Sequence, residues 1–311
     1  MRILVMGGTR FIGVYLTQQL VEQGHEIVLF NRGNCQPPVE GVTQIHGDRT
    51  DAEQLKAKLK PESFDAIFDN NGRELKDTQP LIELFADQIS QFIYVSSAGV
   101  YAPSDQMPHH EDDAVDPKSR HRGKFETENY LAAQSIPFTS IRPVYIYGPR
   151  NYNPVEAWFF DRLSHDRPIP IPGNGLHITQ LGHVADLASA MTATLNNPRA
   201  IGQIYNISGD RFVTLNGLAR LCALAMDKDP NQVELVHYEP KAFDFGKRKA
   251  FPLRPQHFFT SIAKAKQDLH WHPSFDLVSG LQDSYQHDYQ LQPNPSPDFS
   301  VDDEILSALK V

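Results

Sequence analysis

The chain has 311 residues, 40% hydrophobic, 10% aromatic and 22% charged, an ordinary globular balance that excludes a disordered, collagenous or disulfide-scaffolded protein. Its 29 Lys and Arg stand against 38 Asp and Glu, a formal charge of -9, so the global field repels an anionic polymer and only a local basic patch can hold one. The longest apolar runs, such as Ile3-Leu4-Val5-Met6, fall far short of the roughly 18 residues of a membrane span, and Cys35 and Cys222 show neither disulfide nor zinc-site spacing.

Short β-branched and aromatic runs at 3–6, 26–30, 43–46, 66–69, 92–96 and 138–142 predict strands. Apolar residues at three- and four-residue intervals over 12–23, 52–59, 75–87 and 124–133 predict the helices between them. Such alternation requires crossover units, so the expected fold class is α/β, with a doubly wound parallel Rossmann sheet over residues 1–150. Beyond 150 the pattern changes to Pro- and Gly-rich loop, as at 168–175, mixed with a helix over 214–225 and a strand at 233–236. This predicts a smaller α/β lobe over 151–292, with a helix over 184–195 and a strand at 203–207 placed to return to the main sheet. Residues 293–311 read as a Pro-rich linker followed by a short amphipathic helix over 302–309. Because a strand pattern follows Met1 at once, no leader is expected. The expected compartment is a bacterial cytoplasm, with a processed plastid chain as the alternative.

Between the first strand and first helix lies Gly7-Gly8-Thr9-Arg10-Phe11-Ile12-Gly13, where a dinucleotide fold sets its pyrophosphate on free helix amides. Gly7 permits the turn and Gly13 a close approach of helix to sheet; a tight structural turn would use the same glycines, but the flanking elements favour cofactor binding. The second strand ends at Asn31-Arg32 where an NAD-specific site carries an acid for the ribose hydroxyl. A neutral and a cationic residue suit a 2'-phosphate instead, so NADP is expected over NAD if a dinucleotide binds. Arg10 reaches either that phosphate or the pyrophosphate, or is solvated surface like Arg32. Asp48 is placed to accept from the adenine amino group or to cap the helix that follows. Arg49, Asn71, Ser96 and Lys124 complete the expected cofactor set.

Further motifs follow in order: Gly47-Asp48, Val95-Ser96-Ser97-Ala98-Gly99-Val100-Tyr101, Lys124 with Glu128, Arg142-Pro143-Val144-Tyr145-Ile146-Tyr147-Gly148-Pro149, and a distal stretch at 263–273. With them, residues 1 to about 290 resemble the extended short-chain dehydrogenase/reductase superfamily, the sugar-nucleotide epimerases and dehydratases. The resemblance implies a catalytic serine, tyrosine and lysine. Ser97 takes the first role, and Lys124, with Glu128 four residues on, the last. The tyrosine position then falls on Arg120. A tyrosine there must exchange a proton near neutral pH, which a guanidinium with a pKa above about 12 cannot do. Of its neighbours only His121 titrates in the right range, one residue out of register. Ser96 and Ser97, closing a strand, can equally satisfy backbone groups or touch the nicotinamide ribose.

Arg10 in the loop, Arg120 in place of the tyrosine and the stretch at 250–259 resemble one atypical branch of that superfamily, the chloroplast stem-loop-binding proteins and their cyanobacterial relatives. This branch implies RNA binding and endoribonuclease activity. Two cationic clusters qualify as phosphate-tracking sites: Lys118, Arg120 and Arg122 ahead of Lys124, and Lys247, Arg248, Lys249 and Arg254 with Phe245 and Phe251 interleaved. Acids bracket the first, which also reads as a solvated mixed-charge surface; the second has fewer beside it. His109-His110 and His270-x-His272 lack a third ligand at fixed spacing, so no metal is expected. The leading expectation is an RNA-binding and RNA-cleaving protein on a nucleotide-cofactor fold. An NADP-dependent nucleotide-sugar epimerase, dehydratase or reductase, and a non-catalytic cofactor-sensing scaffold, stand as alternatives. Expected partners are a dinucleotide and structured RNA, with no membrane and a homo-oligomer left open.

Overall fold

The computed structural model describes residues 1–134 and 136–310. The chain runs β1 (Arg2–Met6), α1 (Ile12–Glu22), β2 (Glu26–Asn31), β3 (Thr43–His46), α2 (Ala52–Leu59), β4 (Ala66–Asp69), α3 (Leu75–Phe85), β5 (Gln91–Val95), α4 (Arg122–Ala133) and β6 (Phe138–Pro143). It continues with β7 (Tyr145–Tyr147), α5 (Val155–Ser164), β8 (Ile169–Pro172), β9 (Ile178–Thr179), β10 (Leu181–His183), α6 (Val184–Thr192), β11 (Gln203–Ile207), β12 (Val213–Thr214), α7 (Leu215–Ala225), β13 (Leu235–Tyr238), α8 (Ala263–Leu269), α9 (Leu277–Ser284) and α10 (Ser300–Leu309). Two compact units result. The first comprises Met1–Ile146, Val184–Ser208 and Thr260–Pro273, the second Tyr147–His183, Gly209–Phe259 and Ser274–Val311.

The first unit is a seven-stranded sheet in the order β11-β6-β5-β4-β1-β2-β3, all pairs parallel. The central strands β1, β2 and β4 are mainly apolar on both faces, as a sheet covered by helices on both sides requires. Ile3 and Val5 face a core shared with Leu16 and Leu20 of α1 and Leu187 and Met191 of α6. Leu4 and Met6 face the opposite core, with Leu55, Leu81 and Phe85. The order reverses beside β1, and the carboxyl ends of β1 and β4 lie next to each other there, where such sheets bind ligands. β11 pairs with β6 in register Gln203 to Thr139, and Trp271 Nε1 donates to Ser189 Oγ at 2.8 Å, tying the segment after α8 to α6.

In the second unit β8 pairs with β13 in parallel and β9 with β12 antiparallel, against α5, α7, α9 and α10. The Pro-rich run expected as loop contains β8. Only alternate amides of a parallel edge bond to a given partner, so Pro170 and Pro172 are tolerated while Ile169 N donates to Glu234 O at 2.9 Å. The expected separate C-terminal helix packs within this unit as α10. Ile305 is buried, and Asp302 pairs with Arg162 at 2.8 Å, whose guanidinium stacks 3.4 Å over Trp158. No helix among the described residues is long and apolar enough to cross a membrane.

Candidate functional site

The turn from β1 to α1 is built for an anion. Gly7 sits at φ +85, and a Cβ on Gly13 would stand 2.0 Å from the Gly7 carbonyl oxygen, so the helix can start this close to the strand only with glycine there. Phe11, buried at the N-cap with φ 42, offers no side-chain cap, and the first turn of α1 holds no acid. The helix N-terminus therefore carries neither a side-chain cap nor an acid in its own first turn to offset its partial positive charge, an arrangement that suits a pyrophosphate. Thr9 and Arg10 form the outer arc of this turn, and Arg10 is exposed.

At the end of β2, Asn31 Oδ1 accepts from Gly33 N at 2.8 Å, while its Nδ2 is buried and lacks a partner among the described residues. Arg32 is exposed and close enough to Asp48 to act on it. Hydrogen bonds from the Thr50 amide and hydroxyl, at 2.9 and 2.7 Å, and then the charge of Arg32 hold the Asp48 carboxyl below the usual range. Asp48 does not cap α2. Asp51 does, accepting from Gln54 N at 3.0 Å, because it is the residue immediately before the first helical turn.

Arg49 departs from the expected cofactor role. Its guanidinium turns inward to Asp69, with contacts of 2.6 and 2.9 Å, and to the Asp77 carbonyl at 2.6 Å. The reason is Asp69, a fully buried carboxylate at the end of β4 that would be costly without a countercharge. Burial pushes the Asp69 pKa up, but Arg49 outweighs it and the carboxyl stays below its ordinary range. Thr78 Oγ1 and Gly72 N complete its shell at 2.6 and 3.0 Å. Asn71 Oδ1 accepts from Arg49, and a Cβ on Gly7 would stand 2.8 Å from its Nδ2, so Asn71 links the loop to this network. Asp69 and Thr78 escaped the sequence reading; an acid closing an otherwise apolar strand was the available signal.

Where β5 ends, Ser96 Oγ is buried without a partner among the described residues. Ser97 Oγ accepts from Gly99 N at 3.0 Å, capping a 3-10 turn over Ala98–Val100. Lys124, on the first turn of α4, donates to Val95 O at 2.6 Å and lies 5.2 Å over the Tyr94 ring. Desolvation lowers its pKa to about 8. Arg120 is exposed and its Nε donates to His121 Nε2 at 3.1 Å. The His121 ring lies against Gly99: a Cβ there would be 2.5 Å from Cδ2 and 3.1 Å from Ser97 Oγ. Because α4 begins at Arg122, residues 120 and 121 precede the helix, and a four-residue spacing to Lys124 does not select between them. The imidazole set aside for its register thus stands beside Ser97. Glu128 serves elsewhere, in a buried pair with Arg142 at 2.7 Å and as acceptor for Ser140 Oγ at 2.8 Å.

In the first unit Lys118, Arg120 and Arg122 are exposed, as are Lys247, Arg248 and Lys249 in the second. The second cluster differs from expectation. Arg248 pairs with Glu304 at 2.7 Å, and Arg254 lies 4.1 Å over Phe258. Phe245 stacks on Phe243 at 5.4 Å and Phe251 packs edge-on to Trp158, so these rings are committed to aromatic packing rather than presented as a base-stacking platform. Among the described residues no group of three or more His, Cys, Asp or Glu is arranged to hold a metal ion.

Residues 3–208 match the NAD dependent epimerase/dehydratase family. The chain belongs to that family. It is 51% identical, over 98% of its own length and 84% of the relative's, to the chloroplast stem-loop binding protein of 41 kDa b of Arabidopsis thaliana, so the resemblance to that branch is borne out. Among solved structures it is similar to the UDP-glucose 4-epimerase of Thermotoga maritima, with TM-score 0.78 and 21% identity over 92% of this chain and 98% of that one. The dTDP-glucose 4,6-dehydratase of Bacillus anthracis, solved with NAD, gives TM-score 0.76 and 20% identity over 94% and 97%. At these identities the two structures establish the shared fold.

Proposed function

We propose that this family member binds structured RNA, with RNA cleavage as the activity to assay, and holds NADP(H) on the Gly7–Gly13 loop without running the family's hydride chemistry. The observation that carries the reading is the corner around Ser97. Neither residue ahead of α4 that could stand for the phenol is one, Arg120 being an exposed guanidinium and His121 an imidazole, and Lys124 donates to a main-chain carbonyl. The stem-loop-binding name of the 51% identical relative supports the RNA assignment.

The residues present fit a dinucleotide. An uncapped α1 suits the pyrophosphate, the unpartnered Asn31 Nδ2 with Arg32 suits a 2'-phosphate, and the unpartnered Ser96 Oγ with Lys124 suits the nicotinamide ribose. Bound there, the nicotinamide would supply a hydride acceptor; the chain's own part is to position it. A second reading, an NADP-dependent nucleotide-sugar enzyme, draws on one observation: the His121 ring beside Ser97 and a Lys124 pulled to about 8 offer a proton acceptor in place of the phenol.

The test is stem-loop RNA binding at several salt concentrations, together with hydride exchange and epimerisation assays on common nucleotide sugars. Lys118, Arg120 and Arg122 replaced jointly by Ala should weaken RNA binding several-fold and flatten the salt slope by roughly 0.7 to 0.9 per lost phosphate contact. Robust nucleotide-sugar turnover, abolished in His121→Ala or Lys124→Met, would establish the second reading instead.

A further inference from the structure

A cavity of about 270 Å³ lies within the second unit, against α5, α9 and the segment that follows α9. Its lining includes three carboxyl residues, Glu156, Asp161 and Asp288, the aromatic residues Phe160 and Tyr289, and the amide of Asn294. None of its described lining residues is Lys, Arg or His.

Glu156 makes this more than an acidic surface. The residue is 1% exposed. Its Oε1 is fully used, accepting from Gly148 N at 3.0 Å and Ser284 Oγ at 2.6 Å. Its Oε2 is buried and has no hydrogen-bond partner among the described residues, and an isolated buried carboxylate oxygen is among the costliest groups a protein can leave unmatched. The flanking acids are held in place from the protein side. Tyr289 OH donates to Asp161 Oδ1 at 2.9 Å, and Arg150 N donates to Asp288 Oδ2 at 2.8 Å. The Phe160 and Tyr289 rings, 5.3 Å apart, supply aromatic faces.

We infer that this cavity binds the ammonium or guanidinium head of a small organic cation, with Glu156 as the buried anchor and Asp161 and Asp288 as flanking carboxylates. A hard divalent ion fits less well. It requires six or more converging oxygens, and the described residues contain no acid or histidine group so arranged. An alkylammonium or guanidinium instead donates N–H bonds to an orphaned oxygen in charge-assisted geometry and gains from aromatic faces. At about 270 Å³ the cavity falls just below the roughly 300 Å³ at which drug-sized sites begin, which restricts it to a small ligand. Burial, and secondarily the charge of Asp288, make Glu156 harder to ionise when the cavity is empty. A bound cation supplies the missing countercharge.

The full chain, freed of nucleic acid, is titrated calorimetrically at physiological ionic strength with putrescine and with agmatine. The neutral isostere 1,4-butanediol and magnesium chloride are the comparison ligands. The inference expects saturable binding of at least one of the two cations at one per chain, no saturable heat from the diol, and at least about tenfold weaker binding in Asp288→Asn. Ala157→Leu, which fills the cavity from α5, should abolish binding while leaving the thermal melt near that of the parent. Glu156→Gln should also abolish it; if that variant fails to fold, Asp288→Asn and Ala157→Leu decide. No saturable heat from either cation overturns the inference. So does equal affinity in the parent, Asp288→Asn and Ala157→Leu, which would mean diffuse attraction to a chain of net charge -9. Stoichiometric displacement of the amine by magnesium would make this a metal site and overturn it as well.

Discussion

At the turn between β1 and α1, recognition rests on main-chain geometry: Gly13 against the Gly7 carbonyl, a helix start without a cap, and no acid in the first turn. Where β5 meets α4, any chemistry would rest on a few side chains, Ser97, Lys124 and the Arg120–His121 pair ahead of the helix. The first region cannot change without moving a helix against a sheet, so it persists while the fold persists. The second can lose a reactive group and keep every strand, because Lys124 retains an acceptor in Val95 O and Ser97 retains one purpose in the 3-10 turn. A binding site and a reaction are thus separable on this fold.

The largest expected effect lies in the network beneath both regions. Arg49→Leu leaves Asp69 buried and uncompensated, and stability to urea should fall by about 3 to 5 kcal/mol. Arg49→Leu combined with Asp69→Leu should recover part of that loss. Asp69 is held below its ordinary 3.8, so its contribution is present above that pH and is lost as pH falls through the lowered value. That acid limb should disappear in the double variant. A loss under about 1 kcal/mol in Arg49→Leu would mean that the two regions do not share this frame.

Next comes Lys124. Its pKa falls from 10.5 to about 8 in the folded chain, so between those values the unfolded chain binds the extra proton and this group makes stability rise with pH. The rise amounts to at most roughly 3 to 4 kcal/mol, at about 1.4 kcal/mol per unit. Thermal melts across that window should show it in the parent and not in Lys124→Met. Parallel profiles would place the ammonium in water and remove the desolvated character of this corner.

Much of the first region was legible before any coordinates, since strand and helix periodicity and glycine spacing are local properties. Several departures come from partners that the sequence pattern does not reveal. Arg49 reads as a cofactor-site residue until Asp69, twenty residues on, is seen to be buried beside it. Arg248 reads as a free cation until α10 brings Glu304 to it. Phe245 and Phe251 read as stacking rings because a sequence does not show that Phe243 and Trp158 already pack on them. The spacing of 120 to 124 misleads for a different reason: a four-residue repeat has meaning only inside a helix, and α4 begins at Arg122. Asp51, not Asp48, caps α2 because a cap is the residue immediately before the first helical turn, and the helix starts at Ala52 as its periodicity predicts, which leaves Asp48 three residues too early.

A smaller effect sharpens the adenosine end of the site. With Asn31 and Arg32 closing β2, NADPH should bind more tightly than NADH by about 1.5 to 3 kcal/mol for a charge-assisted contact to the extra phosphate. Arg32→Ala should erase most of the difference in a calorimetric titration. Equal affinities in the parent would leave the pyrophosphate turn as the whole of the recognition.

The smallest effect concerns the second unit, where the basic cluster is less available than its composition implies. Lys247, Arg248 and Lys249 replaced jointly by Ala should weaken stem-loop RNA binding several-fold, yet Arg248→Ala alone should change it little, because that guanidinium already faces Glu304 at 2.7 Å. The pair is exposed on both sides and adds little to stability, so it can be opened without unfolding the chain. Glu304→Gln then becomes the informative variant. Freeing Arg248 should strengthen RNA binding a few-fold at low salt and steepen the slope of log affinity against log salt by roughly 0.7 to 0.9, the signature of one added phosphate contact. In the Glu304→Gln background, Arg248→Ala should reverse both changes. If Glu304→Gln alters neither affinity nor slope, Arg248 does not face the RNA, and the exposed cations at 118, 120 and 122 must carry phosphate recognition without it.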